Sequence, residues 1–257
     1  MDRLDADAIR TLSGLEELEV RVLARCGSTN TELLAADAPG PLLLAAEAQS
    51  AGRGRRGRRW HSAPGRSATF SIRRRMRCAP AALAGLSLAV GVAAARALRA
   101  LGAAEVALKW PNDLVARGAK LGGILVESRA AADGGTAVVA GIGVNCHADP
   151  ALARLGRPAI ALDALLAPAP SRNAVIAAIA REAMPTLAHF EHAGLAPFVA
   201  EWRALHAYEG ARLRVRIAGG RILSGRACGI GAGGALLLAT ARGLREIVCG
   251  RLLEIGP

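Results

Sequence analysis

Only two of the 33 basic residues in this chain are lysine, Lys109 and Lys120; the rest are arginine. An ammonium is a compact point charge on a flexible stem, whereas a guanidinium is a wide planar fork. Where arginine is the general-purpose cation, a retained lysine points to a place that needs one charge focused on one oxygen in a tight space. Both lysines sit in runs with further chemical potential, Lys109-Trp110-Pro111-Asn112-Asp113 and Lys120-Leu121-Gly122-Gly123-Ile124. Other scarce polar residues have similar settings. Gln49 is the only glutamine, and of the four asparagines (the fourth is Asn173) Asn30, Asn112 and Asn145 lie in short turn-like stretches.

Two more runs complete the set. Gly52-Arg53-Gly54-Arg55-Arg56-Gly57-Arg58-Arg59-Trp60 combines glycines, which let backbone N–H groups approach an anion, with arginines that neutralise it. Trp60 offers a face for a base. Gly141-Ile142-Gly143-Val144-Asn145 interrupts a strand with glycines and ends on an amide. The glycines after Lys120 open the backbone to a ligand, and Pro111-Asn112-Asp113 presents an amide and a carboxylate at a strand end. The chemistry these residues suit is neutralising and positioning a phosphate-bearing ligand. There is no Gly-x-x-x-x-Gly-Lys-Ser/Thr phosphate loop and no Gly-x-Ser-x-Gly nucleophile elbow. His189 and His192 lack a metal-ligand partner set.

These runs need elements to hold them. Residues 1–18 read as an amphipathic helix with Leu12, Leu15 and Leu18 on one side. Residues 19–24 alternate as a strand. Cys26 to Glu32 reads as a turn entering a helix, with Thr29 and Glu32 at capping-box spacing. Strands follow at 42–46 and 69–73, flanking the Gly/Arg loop. Residues 80–101 form the longest expected helix. Further strands are expected at 106–110, 121–127 and 137–144, the last two joined by a turn at Asp133-Gly134-Gly135. A Pro-rich stretch, 158–170, leads to helices at about 172–192 and 195–207. From Gly210 helix signals stop, and five short strands alternate with Gly-rich turns, as in a small barrel. The pattern implies an α+β chain divided at Glu209-Gly210.

The bulk properties narrow the class. The chain has 257 residues, 52% of them hydrophobic but only 3% aromatic, so the core is aliphatic. The net charge of +12 invites a nucleic-acid reading, but much of it sits in two clusters, Arg53–Arg59 and Arg73–Arg77. Five scattered cysteines without Cys-x-x-Cys read as reduced thiols of a cytoplasmic protein. The N-terminus carries charges and no apolar signal core. The uncharged run 79–95 reads as a buried helix rather than a membrane span.

Together Ser28-Thr29-Asn30 and the four runs, in this order, resemble the biotin–protein ligases, over the chain from about residue 20 to the end. The resemblance implies a catalytic domain like that of class II aminoacyl-tRNA synthetases over residues 1–209 and an SH3-like barrel over 210–257. It implies that MgATP and biotin form biotinyl-5′-AMP, which a lysine of a biotin carboxyl carrier domain, of acetyl-CoA carboxylase or a related biotin-dependent carboxylase, then attacks. By the same resemblance Lys120, Arg55 and Asp113 are catalytic, with Asp113 binding Mg²⁺ or orienting the acceptor lysine. Ser28, Thr29, Asn30, Gln49, Gly52, Arg53, Gly122 and Gly123 belong to the biotin site. Arg53, Arg55, Arg56, Trp60, Lys109, Asn112, Lys120 and Asn145 belong to the ATP and adenylate site. Fewer than about 25 residues precede the match, so no DNA-binding domain or DNA partner is expected. A homodimer is a family-style expectation. Lipoate–protein ligase shares the chemistry but lacks the Gly/Arg run. The resemblance assigns no role to the arginines at 73–77.

Overall fold

The computed structural model describes residues 2–38, 40–131, 135–154, 156 and 158–256. The Asp133-Gly134 part of the expected turn lies outside the described residues. Two sheets organise a mixed α+β chain. The first has seven strands: β1 (Glu19–Cys26), β2 (Leu42–Gln49), β3 (Ser67–Met76), β4 (Ala107–Lys109), β5 (Asp113–Ala116), β6 (Ala119–Ala130) and β7 (Thr136–Asn145). Their order is β1-β2-β3-β7-β6-β5-β4. Only β1 and β2 run parallel; the other pairs are antiparallel.

One face of this sheet is covered by α1 (Ala6–Ser13), α3 (Leu86–Ala100) and α5 (Arg172–Ala193). Phe70 and Ile72 of β3, Ala140 and Ile142 of β7 and Ile124 of β6 are buried in the main core. The helix α3 is nearly all Ala, Val, Leu and Gly and is buried on most sides. Its small side chains bring the axis close to the sheet: a Cβ at Gly91 would already touch Leu108 at 3.4 Å. The other face carries α2 (Thr29–Ala35) over a small apolar patch of Leu33, Leu42, Leu44 and Val139. The rest of that second face bears the polar residues considered below.

After α4 (Pro150–Ala153), α5 and α6 (Val199–Leu205), the chain forms a second, wholly antiparallel sheet. Its strands β8 (Arg212–Ile217), β9 (Ile222–Ile230), β10 (Leu236–Thr240), β11 (Gly243–Ile247) and β12 (Gly250–Gly256) run in the order β11-β10-β9-β8-β12. Leu213, Val215, Leu236 and Leu238 join the same apolar core as the first sheet. Trp110 Nε1 donates to Gly234 O at 3.0 Å, tying the turn before β10 to the end of β4.

Several local expectations change. The first helix is shorter than 1–18, because Gly14 takes a left-handed φ of 67° and caps it. Leu12 then points outward, while Ile9 and Leu18 are buried. The helix expected at 80–101 begins only at Leu86, after a 3₁₀ turn at Pro80–Leu83 and a left-handed Gly85. The longest helix is instead α5, 22 residues with Pro185 inside. The short strand β5 was not expected. Thr29 makes no capping box: Ser28 is the N-cap, without a side-chain cap bond. No helix of the described residues is long and apolar enough to cross a membrane.

Candidate active site

Strand register dictates which side chains can meet. Antiparallel neighbours directly opposite one another share a face, and so do residues two apart on one strand. Thr69, Gly143, Gly123 and Asp113 are opposite one another across β3, β7, β6 and β5. Ser71, Gly141 and Leu125 form the next rung, and Arg73, Val139 and Glu127 the one after. All lie on the face away from α3 and α5. Gly122 has the opposite parity, against Val144 and Leu114, so its missing side chain serves sheet packing.

The glycines of this face are filled by the chain itself. A Cβ at Gly141 would overlap the Asn30 amide, and one at Gly143 would overlap the Trp60 ring. These two positions therefore seat Asn30, from the first turn of α2, and Trp60, from the end of the Gly/Arg loop. Gly123 stays open; a Cβ there would approach Lys120 Nζ at 3.2 Å and Asp113 Oδ1 at 3.6 Å.

Lys120 reaches this face through a β-bulge. Register slips between Leu114–Gly122 and Val115–Lys120, leaving Leu121 as the extra residue on β6. Without the bulge Lys120 has the wrong parity relative to Gly123; with it the side chain is re-aimed. Its ammonium is hydrogen-bonded to Asp113 Oδ1 and lies 6.0 Å from the Trp60 ring centroid. The two side chains are 15% and 24% exposed, so their charges are only partly screened. Asn145 steadies the backbone of Lys120: its Nδ2 donates to Lys120 O at 3.4 Å and Ile160 O at 3.1 Å.

A chain of hydrogen bonds fixes the polar wall. Asn30 Nδ2 donates to Leu125 O at 3.1 Å and Glu127 Oε2 at 2.8 Å, which leaves Asn30 Oδ1 to accept from Ser71 Oγ at 2.6 Å. Ser71, its own proton given, accepts from Thr29 Oγ1 at 2.7 Å. Gln49 Oε1 accepts from Thr29 N at 2.7 Å. The proton count therefore leaves the Thr29 oxygen with lone pairs and the Gln49 amide nitrogen as donor. Glu127 also accepts from Arg53 at 2.9 Å, joining the wall to the loop.

The loop closes on itself. Gly54 N donates to Arg58 O at 2.6 Å and Trp60 N to Gly52 O at 2.9 Å, with Arg56 and Gly57 at left-handed φ in the tip. Burial pushes the Arg55 pKa down, the neighbouring Arg56 and Arg58 add to this, and Asp113 is among the groups that oppose it. A half-buried guanidinium of this kind favours an anionic partner. Two wall atoms, Trp60 Nε1 and Thr69 Oγ1, are buried without a hydrogen-bond partner, as expected of groups that await a ligand.

One cavity is lined by Ser28, Thr29, Asn30, Gln49, Arg53, Arg55, Trp60, Asn112, Asp113, Lys120 and Gly123. Five of the residues singled out in the sequence are not in its wall. Arg56 donates to Cys249 Sγ at 2.8 Å, and Lys109 lies 5.6 Å from the Tyr208 ring centroid. Gly52 packs under Gln49 and Trp60. Gly122 faces the other side of the sheet, and Asn145 lies behind Lys120. Ser71 and Glu127 were missed as participants. Their signal was parity: Ser71 is a polar residue two beyond Thr69, between the apolar Phe70 and Ile72, and Glu127 is in step with Gly123. Two thiols are poor nucleophiles by burial, which pushes Cys146 to about 12 and Cys26, also near Glu32, to about 11.

Among the described residues no group of three or more His, Cys, Asp or Glu is placed to hold a metal. Mg²⁺ carried on nucleotide phosphates needs only one or two protein carboxylates, and Asp113 is the carboxylate this wall offers.

Residues 22–145 match the family model for the biotin/lipoate A/B protein ligase family. The bifunctional ligase/repressor BirA of Escherichia coli (strain K12) is 35% identical over 246 residues, 93% of this chain and 71% of that protein. The biotin--[acetyl-CoA-carboxylase] ligase of Mycobacterium tuberculosis is 37% identical over 234 residues, 88% of this chain and 84% of its own length. Among solved structures, the biotin protein ligase from Aquifex aeolicus in complex with biotin and ATP superposes with a TM-score of 0.78 at 25% identity, covering 91% of this chain and 97% of that one.

Proposed function

The chain belongs to the biotin/lipoate A/B protein ligase family, and from that premise we propose that it is an ATP-dependent ligase that activates biotin as biotinyl-5′-AMP and transfers it to a lysine of a biotin carboxyl carrier protein. The observation that carries this reading is that neutral polar and cationic side chains line a single cavity. Thr29 and Gln49 line it together with Lys120, Arg53 and Arg55. The fused ring of biotin has a ureido edge that needs both a donor and an acceptor, while its other end is a carboxylate.

In the first step a biotin carboxylate oxygen attacks the α-phosphorus of ATP, and pyrophosphate leaves with the electron pair of the broken P–O bond. Two anions must be brought together, so catalysis is chiefly charge neutralisation and positioning. Lys120 turns from Asp113 to the carboxylate and α-phosphate. Arg53 and Arg55 hold the phosphates. Asp113 would hold Mg²⁺ carried on the nucleotide, which would shield the phosphate charge. In the second step the neutral acceptor amine attacks the acyl carbon and AMP leaves. Lys120 then stabilises the oxyanion; before the attack Asp113 orients the incoming ammonium, which loses one proton to solvent, and the nitrogen sheds a second to solvent as AMP leaves. The loop 52–60 covers the mixed anhydride and keeps water from it. Asn145 supports Lys120 from behind, and Arg56 and Lys109 act from outside the cavity wall, on the loop and on the approach to Asp113.

We place the division between catalytic and C-terminal units at Glu209-Gly210. The first is read as a class II synthetase-like domain and the second as an SH3-like barrel. The change there from helices to short antiparallel strands supports that division.

The test is pyrophosphate release from ATP, with biotin and separately with lipoate or octanoate. Release with biotin alone, lost in Lys120→Ala, is the expected result. Release with lipoate or octanoate but not biotin would move the chain to the other branch of its family.

A further inference from the structure

Glu127 lies outside the lining of the cavity and Arg53 lies in it, yet the two side chains meet. Glu127 is on β6, four residues beyond Gly123 and on the same face. Its Oε2 accepts from Arg53 Nη2 at 2.9 Å and from Asn30 Nδ2 at 2.8 Å. One carboxylate oxygen thus joins two elements that are far apart in the chain. Asn30, in the first turn of α2, is 3% exposed and continues through Ser71 to Thr29. Arg53 stands in the neck of the Gly/Arg loop, where its backbone bridges to Arg59 and Gly54 N donates to Arg58 O at 2.6 Å. A pin at this neck fixes the orientation of the whole loop.

A carboxylate near an anion site has two opposite effects, and distance decides between them. Four strand residues at about 3.3 Å each put Glu127 about 13 Å along β6 from Gly123, the glycine that borders Lys120 and Asp113. That exceeds the Debye length of about 8 Å at physiological salt, so direct repulsion of a phosphate at that rung is largely screened. What remains is the effect carried by contact. The Arg53 side chain is 45% exposed, and a long side chain left free loses rotamer entropy when it binds. Held through one Nη by Glu127, the planar fork keeps its other N–H groups for an anion in the cavity and meets it already ordered.

We propose that Glu127 is a positioning residue: it pins the Gly/Arg loop through Arg53, and through Asn30 it holds that loop in register with the polar wall. It acts on the phosphates through Arg53 alone. The effect on phosphate rests on the ligase reading; the pin itself does not.

Glu127→Gln tests both, since its amide oxygen still accepts from Asn30 while the charge that holds Arg53 is gone. Trypsin reads the pin without any ligand. The loop offers it Arg53, Arg55, Arg56, Arg58 and Arg59, and local opening sets the rate of cutting. Cutting within the loop should be about fivefold faster in Glu127→Gln, the worth of one partly exposed ion pair. The thermal midpoint of the chain should fall by no more than about 4 °C, as befits one contact in a chain of this size. Pyrophosphate release reads the consequence: kcat/KM for ATP should fall by about the same factor, while the KM for biotin stays within about twofold. In an Arg53→Ala background the same substitution should change neither the cutting rate nor kcat/KM by more than about twofold, because the pin is already broken. Cutting as slow as in the unsubstituted chain overturns the pin. A kcat/KM for ATP that is unchanged or raised overturns the positioning role. An equal loss in the Arg53→Ala background overturns both, leaving Glu127 a support of the wall only. No pyrophosphate release with biotin by the unsubstituted chain overturns the ligase reading and the positioning role with it, and the cutting rates still decide the pin.

Discussion

Replacing Ser71 by alanine separates the chemistry of the polar wall from its architecture. Ser71 is fully buried. It gives its proton to Asn30 Oδ1 at 2.6 Å and receives one from Thr29 Oγ1 at 2.7 Å. The Asn30 oxygen has no other hydrogen bond in the wall, so the alanine variant orphans a buried acceptor, at about 1–3 kcal/mol of folding stability. Thr29 is not orphaned, because Gln49 Oε1 lies 3.2 Å from its hydroxyl. The hydroxyl proton turns toward Gln49, and the lone pairs that faced the cavity turn with it. A ligand N–H then loses its acceptor. The KM for biotin should rise by about tenfold, which corresponds to about 1.4 kcal/mol. The kcat should change little, because the interaction is made equally in ground and transition states. Pyrophosphate release across a biotin titration, paired with urea unfolding, reads both quantities. If stability falls by the expected amount while KM stays within about twofold of its original value, Ser71 is a packing residue and the proton count of the wall is wrong.

Gly143→Ala should displace the Trp60 ring and cost about 1–3 kcal/mol of stability, with a loss of intrinsic tryptophan signal change on nucleotide addition. Arg55→Gly should let the adenylate escape and label unrelated lysines; biotin confined to the carrier protein in a blot of mixed proteins would remove Arg55 from that role. Arg172 is fully buried and bonds both Asp2 and Glu47, so Arg172→Met should cost about 3 kcal/mol in urea unfolding by leaving two carboxylates without their cation. Burial raises the pKa of both acids, but the Arg172 contacts outweigh it and hold both below their ordinary values. That part of the stability is therefore present at neutral pH and lost as pH falls below the carboxylate range, a loss the variant should no longer display. His206 stacks on Trp202 at 4.5 Å, and burial pushes its pKa down against the pull of Glu209. The unfolded chain binds this proton first, so stability should fall as pH drops below about 6.5, the ordinary histidine value. His206→Phe should flatten that slope in a pH series of thermal unfolding.

Much of the molecule was legible in one dimension. Period-two alternation located β1, apolar runs rich in Val and Ile located β6 and β7, and the change from helical to strand rhythm near Gly210 located the second sheet, because these signals arise from local burial. The scarcity of lysine and glutamine singled out Lys120 and Gln49, and the Gly/Arg run announced an anion before any fold was known. What the chain order did not convey depends on partners distant in sequence. Thr29 looked like a helix cap because capping is a local use of a hydroxyl; in the fold it is spent on Ser71, 42 residues away. Gly122 and Gly123 are adjacent and looked equivalent, but a strand turns them to opposite faces, so only Gly123 borders the cavity. Lys120 faces it through a one-residue bulge that local pattern does not reveal. Gly141 and Gly143 looked only like interruptions of a strand; in the fold they seat Asn30 and Trp60. Residue types set which chemistry was available; strand register, which is a property of the assembled sheet, decided which side chains share it.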